Sequence, residues 1–470
     1  MTVPVSIEKL LKKHNVSYSL ANIPLSSIAT TDVNVTNIAQ HAHQPTAHAH
    51  LLQNPSQQKL LAITPNQTIL DLQAIKDALG EPYSPVVGSA LQSFVGNLGL
   101  ESMAAMPKLG NLPTIVDRQL LDADKLLLNV GVDNQHIELD RQSFQKLLES
   151  TMVNDIAIPL ATLNTQVAAQ FDEKYIRQSV EQFTELRIKK RLEETLELPA
   201  LPPIAKEIIK LRVNPNADVS DLCAVIELDP SLAAQVVSWA SSPYYSAPGS
   251  IKSIHDAIVR VLGFDMVLSL ALGLALGSSL KLPTHRPEGC VSYWQQAIYV
   301  ATCTEALISC MPRASRPSYG SAYLSGLLHN FGYLISAEVF TGQFDTICKH
   351  IDTNPLATPQ AVEKHIIGVT RDQLASWLMS YWHMPTEICV ALRYQSDTEY
   401  DGEHSEYAAL IYLTKKLLNE KGIRTGVSNE PIADSLFARF SLNRADASEA
   451  IDMMLESNEL LESMAQKMKS

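Results

Sequence analysis

The sequence predicts a multi-domain fold, an N-terminal α+β domain followed by an all-α helical bundle, and three observations support it. Its 470 residues exceed a single domain's usual roughly 100–200, the first 150 mix strand-like and helical periodicity, and beyond Leu198 every periodic segment is helical. A composition 46% hydrophobic and 19% charged excludes disorder throughout, and each unit is large enough to bury a core without structural metal or disulfides.

Residues 1–150 form the first domain. Ser6 to Asn15 reads as a short amphipathic helix and Ile69 to Leu79 as a second, closed by Gly80. Lys59–Thr64, Pro113–Asp117, Lys125–Val130 and His136–Asp140 are short aliphatic runs bounded by Gly, Pro, Asn and Asp, the pattern of strands. Residues 151–197 are a linker, with a charged helix from Val167 to Leu196 that carries Phe171, Tyr175, Ile176, Val180, Phe183 and Leu192 mostly three or four apart. Glu185 and Lys189 add an i,i+4 pair, and the narrow stripe can pack on a neighbouring domain or support an oligomer.

Residues 198–410 form the helical domain, and 411–470 extend it. Leu198-Pro-Ala-Leu-Pro-Pro203 opens a helix, because proline is tolerated where the backbone N–H would go unpaired anyway. Asp218 and Asp229 supply caps for the next two helices. The loop Gly422 to Pro431 separates the last helical regions, Tyr407 to Leu418 and Asp446 to Met468.

The balance of 37 basic against 50 acidic residues gives a net charge of −13, so no nucleic-acid partner is expected. The six cysteines form no C-x-x-C pair; Cys303, Cys310 and Cys389 lie in apolar helical patterns and read, like the others, as reduced core thiols. The start has no signal-peptide layout, and the most apolar run, Met266 to Leu276, is too short to span a bilayer. The expectation is a soluble, cytoplasmic protein.

Leu198-Pro-x-Leu-Pro, Ile226-x-x-Asp229-Pro230-x-Leu232 and Ser253-Ile254-x-x-Ala257-Ile258-x-x-x-Leu262-Gly263 come in an order that resembles the HDOD family, the HD-related output domain. Trp294, Gly326-Leu-Leu-His329-Asn330-Phe-Gly332, Gly368 and Trp382-x-Met384-Pro385 through Tyr394 continue it, over about residues 198–410. The resemblance implies an HD-like bundle and bacterial signal transduction.

HD-type phosphohydrolases hold one or two metal ions with His and Asp side chains, and this chemistry needs several ligands at once. At the positions implied by the resemblance, the His after Trp294 is Gln296, the His-Asp pair is His329-Asn330, the His after Gly368 is Arg371, and the closing His-His pair is Gln395-Ser396. Only His329 keeps a ligating side chain, and a fixed positive charge at Arg371 opposes a cation. The resemblance therefore implies a degenerate, non-catalytic regulatory module that binds a signalling protein or a ligand, with no cofactor. The alternative, a metal-dependent phosphohydrolase on a nucleotide or cyclic dinucleotide, would need substitute ligands from His365, Asp372, Asp397 or His404.

In the first domain, the opening helix with Val16-Ser-Tyr18, Leu60–Pro65, Gly96-x-x-Gly99, Pro107-x-x-Gly110, Leu112–Asp117 and Leu127–Gly131 resemble the YbaK and prolyl-tRNA editing deacylases. That resemblance implies a pocket for a small molecule, but the family's lysine is absent from Thr46–Leu52, and Met103 and Met106 stand in its Gly-rich loop. Trans-editing of tRNA is thus the weaker alternative. His41, His43, His48 and His50 could bind a metal as alternating strand residues, or simply form a solvated connection; no Cys or carboxylate is spaced to complete a tetrahedral site, and the second reading is favoured.

Overall fold

The computed structural model describes residues 3–22, 45–132, 135–149, 151–183, 201–245, 249–426 and 431–467. In the first domain, short aliphatic runs pair into an eight-stranded mixed sheet. Its strands are β1 (Ser19–Asn22), β2 (Thr46–Gln53), β3 (Lys59–Pro65), β5 (Ser84–Pro85), β6 (Thr114–Asp117), β7 (Lys125–Asn129), β8 (Gln135–Asp140) and β9 (Met152–Asn154). The order is β1-β8-β7-β2-β3-β6-β9, with β5 on β2, while β4 (Thr68–Leu70) pairs separately with β10 (Ala157–Pro159).

β3 is buried along nearly its whole length because helices cover both faces of the sheet. Leu61 and Ile63 face one apolar cluster with Ile7 and Leu11 of helix Val5–Lys13 and Phe144 of helix Arg141–Leu147; Leu60 and Ala62 face the other with Ile75 of helix Leu72–Leu79.

The sheet runs further along the chain than its sequence suggests. β9 pairs in parallel with β6, and β10 pairs with β4, so residues 152–159 belong to the first domain and not to a linker beginning at 151. The connecting helix spans Asp172–Phe183 in place of a start at Val167; its continuation to Leu196, with Glu185, Lys189 and Leu192, lies outside the described residues. Ile176 and Val180 are buried in the core of the helical unit, so this part of the stripe is used within the chain.

Helix Phe264–Gly277 is apolar on all sides and buried from Met266 onward, which makes it the centre of the helical unit. A Cβ at Gly277 would fall 2.0 Å from the Trp294 ring, so this contact requires glycine. The helical region expected from Asp446 to Met468 comprises two helices, Arg444–Glu456 and Asn458–Lys467, divided at Ser457. No helix among the described residues is long and apolar enough to cross a membrane. Cys303 and Cys348 are buried, but Cys310 is exposed and is not a core thiol.

Candidate functional site

Gln296, His329, Asn330, Arg371, Gln395 and Ser396 converge, although they come from separate helices. Ser292 starts helix Tyr293–Cys310 with a capping box and sets Gln296 one turn in. His329 and Asn330 form the corner between helices Tyr319–Leu328 and Phe331–Val339. Thr370 caps helix Arg371–Tyr381 and places Arg371 at its first position. The corner and this helix meet because residue 332 is glycine: a Cβ there would lie 1.9 Å from the Arg371 carbonyl oxygen. Gln395 and Ser396 follow helix Thr386–Tyr394.

These side chains are hydrogen-bonded in three neighbouring groups, around Arg371, Gln395 and Asp372. Arg371 Nη1 donates to Asn330 Oδ1 at 3.1 Å, and Asn330 Nδ2 donates to Gln296 Oε1 at 3.1 Å. Gln395 Nε2 donates to the His329 carbonyl at 2.6 Å, while Ser396 Oγ donates to Asp372 Oδ2 at 2.9 Å. Arg371 is neutralised by Glu363, whose carboxylate accepts from Arg371 Nε at 2.5 Å and from its backbone N–H at 2.8 Å.

A second cation, Lys415 of helix Ser405–Glu420, is only 3% exposed and donates to Gln395 Oε1 at 3.1 Å. Burial pushes its pKa down to about 8, with Asp372 working in the opposite direction, so it stays mostly protonated at neutral pH. His329 donates from Nδ1 to the Gly326 carbonyl at 2.7 Å, and burial, reinforced by Lys415 and Arg371, pushes its pKa down to about 3. Two side-chain cations and two carboxylates thus occupy a region that a metallohydrolase would fill with ligands and ions.

Lys415 and Glu363 had no signal in the motif, since neither stands at a ligand position. Of the suggested substitutes, Asp372 joins the network, whereas His365 pairs with Asp71, Asp397 accepts from Gln166, and His404 sits beside Glu403. Among the described residues, His329 belongs to no group of three side chains able to hold one ion.

A cavity of about 520 Å³ opens against this network, lined by Gln296, Asn330, Tyr333, Arg371, Arg286 and Arg424, among others. The Arg371 guanidinium lies 5.3 Å from the centre of the Tyr333 ring. Arg286 and Arg424 on the lining, with Arg371 paired to Glu363 beside them, favour a ligand with negative charge.

In the first domain, His41 and His43 lie outside the described residues. His50 donates from Nδ1 to the Thr353 carbonyl at 2.7 Å and accepts at Nε2 from Thr64 Oγ1 at 2.9 Å, which ties β2 to the helical domain. Burial pushes the pKa of both His48 and His50 down to about 4. Neither joins a group of three ligands among the described residues. The loop carrying Met103 and Met106 is packed into the core, with Ala104, Ala105 and Met106 fully buried.

Residues 198–398 match the HDOD domain. The whole chain is similar to a crystal structure from Marinobacter aquaeolei VT8, named as a candidate signal transduction protein, at 36% identity over 100% of each chain and a TM-score of 0.87. An HDOD domain protein of unknown function from Geobacter sulfurreducens is 18% identical over 64% of this chain and 99% of its own, with a TM-score of 0.49. A protein without an assigned function from Treponema pallidum (strain Nichols) is 22% identical over 215 residues, 46% of this chain. The aligned part spans 40% of that relative's length.

Proposed function

Because the chain belongs to the HDOD-domain family, we propose that it acts as a non-catalytic signal-transduction module whose former metal centre has become a regulatory ligand site. The observation that carries this reading is the Arg371–Asn330–Gln296 chain of hydrogen bonds. A guanidinium occupies the centre, and the amides that replace ligands are oriented to serve it. A divalent ion entering here would meet Arg371 and Lys415 as repelling charges and would have one imidazole to bind, too few for useful affinity. The cavity alongside would take an anionic small molecule, such as a phosphorylated nucleotide, through Arg286, Arg371 and Arg424.

The first domain is the YbaK-like unit in this proposal, and it acts as a sensor. Its loop packing and the missing lysine fit binding better than deacylation. The helix Asp172–Phe183 would carry its state to the output bundle, which presents a surface to a protein partner. The test is phosphodiesterase turnover by the full-length protein with Mn(II), Fe(II) or Mg(II), run beside binding of phosphorylated nucleotides. No turnover is expected, and binding should weaken about tenfold or more in Arg424→Gln. Turnover abolished by His329→Ala would overturn the reading.

A further inference from the structure

We propose that Asp71, His350 and His365 form a binding site for one divalent transition metal of the zinc type, joining the first domain to the helical bundle. Asp71 is the cap residue of helix Leu72–Leu79 in the first domain, His350 lies on helix Thr341–Thr353 and His365 on helix Pro359–Ile367. Asp71 Oδ1 is 3.6 Å from His350 Nε2, and Asp71 Oδ2 is 3.5 Å from His365 Nε2. All three ligand atoms lie within 4.8 Å of one another.

These separations are long for hydrogen bonds but suit ligands of a shared ion. Tetrahedral bonds of about 2.0–2.1 Å place neighbouring ligand atoms roughly 3.3–3.4 Å apart. The His350 tautomer is also set for metal binding. Its Nδ1 donates to the Thr346 carbonyl at 2.8 Å, which leaves the Nε2 lone pair directed toward the carboxylate. A cation between the carboxylate and the imidazole would be bound by both. Among the described residues, the Leu72 N–H at 3.2 Å from Nε2 is the donor to that lone pair, and it is a first-turn helix amide that a metal can displace at small cost.

The surroundings hold the three groups in place. The Asp71 backbone N–H donates to the Ile156 carbonyl at 2.9 Å. Asn354 exchanges two hydrogen bonds with the Leu70 backbone, at 2.7 and 3.2 Å, and fixes the end of the His350 helix against the first domain. His350 is 3% exposed, whereas His365 and Asp71 are 17% and 18% exposed, which leaves a solvent side for ion entry and for water as a fourth ligand. The Gln73 N–H donates to Asp71 Oδ1 at 2.8 Å and holds the carboxylate at the helix cap.

The experiment titrates full-length, chelator-stripped protein with Co(II) and follows visible d–d absorption, then displaces the cobalt with Zn(II). Saturation near one equivalent with a four-coordinate spectrum is expected. Asp71→Asn, His350→Gln and His365→Gln should each weaken binding about tenfold or more. Asparagine also caps helices well, so Asp71→Asn keeps the fold while removing the anion. His329→Gln should leave binding unchanged. Failure of the wild-type protein to saturate, affinity unaltered in all three variants, or loss of binding in His329→Gln would each overturn the proposal.

Discussion

Breaking the buried pair Asp172–Arg393 should release the connecting helix from the output bundle. Asp172 accepts from Arg393 Nε at 2.5 Å, Arg393 Nη2 at 3.0 Å and Gln373 Nε2 at 2.7 Å, with side chains 7% and 6% exposed for Asp172 and Arg393. Arg393 Nη2 also donates to the Val167 carbonyl at 2.5 Å, so one guanidinium holds both the helix and its approach. Removing one member of such a pair leaves an uncompensated buried charge, which typically costs about 3–5 kcal/mol. Asp172→Asn keeps the shape and one acceptor oxygen, which places it near 3 kcal/mol; Arg393→Met strands the carboxylate and should fall in the upper part of the range. The double variant has no stranded charge and should lose less than the sum, with coupling of about 2 kcal/mol. All four tryptophans, Trp239, Trp294, Trp377 and Trp382, lie in the helical unit, so their fluorescence during urea unfolding reports that unit. Single-variant losses below about 1 kcal/mol, or strict additivity in the double variant, would refute the clamp.

Acid should weaken the helical unit through His329. Its folded pKa of about 3 lies below the ordinary 6.5, so the unfolded chain binds the extra proton first; its stabilisation is complete above pH 6.5 and is lost as pH falls toward 3. This is about 2 kcal/mol at pH 5, and His329→Gln should flatten the stability–pH curve by that amount in urea titrations. Gly332→Ala would drive a methyl into the Arg371 carbonyl and should cost roughly 3 kcal/mol, measured by thermal unfolding; a neutral result would mean that the two helices do not meet as described. Asp218→Ala removes the capping box at helix Val219–Ile226 and should cost about 1 kcal/mol in the same measurement.

The parts of this molecule that could be read from sequence are those governed by local rules. The strand Lys59–Pro65 and the helix caps at Asp218 and Asp229 follow from a short aliphatic run between turn residues and from short acceptors before apolar runs. β9 and β10 escaped because three-residue strands are too short to show periodicity; only their partners β6 and β4 define them. The convergent positions were legible because the motif spacing of the HDOD domain is kept. Their replacement was not, since Lys415 and Glu363 reach the centre from positions without a motif role.

Under the proposed function, that difference bears on how a metal site can be lost. Substituting ligands by Gln, Asn and Ser alone would leave a buried polar hollow with unsatisfied amides, an expensive arrangement in a helical core. Here Arg371 and Lys415 supply positive charge in place of an ion, and Glu363 and Asp372 balance them. The charges at the centre are therefore balanced among side chains, while His329 Nε2 stays buried without a hydrogen-bond partner. Restoring one ligand, as in Asn330→Asp, would add a carboxylate beside Arg371 but remove the donor to Gln296 Oε1, and metal binding would require removal of both cations as well.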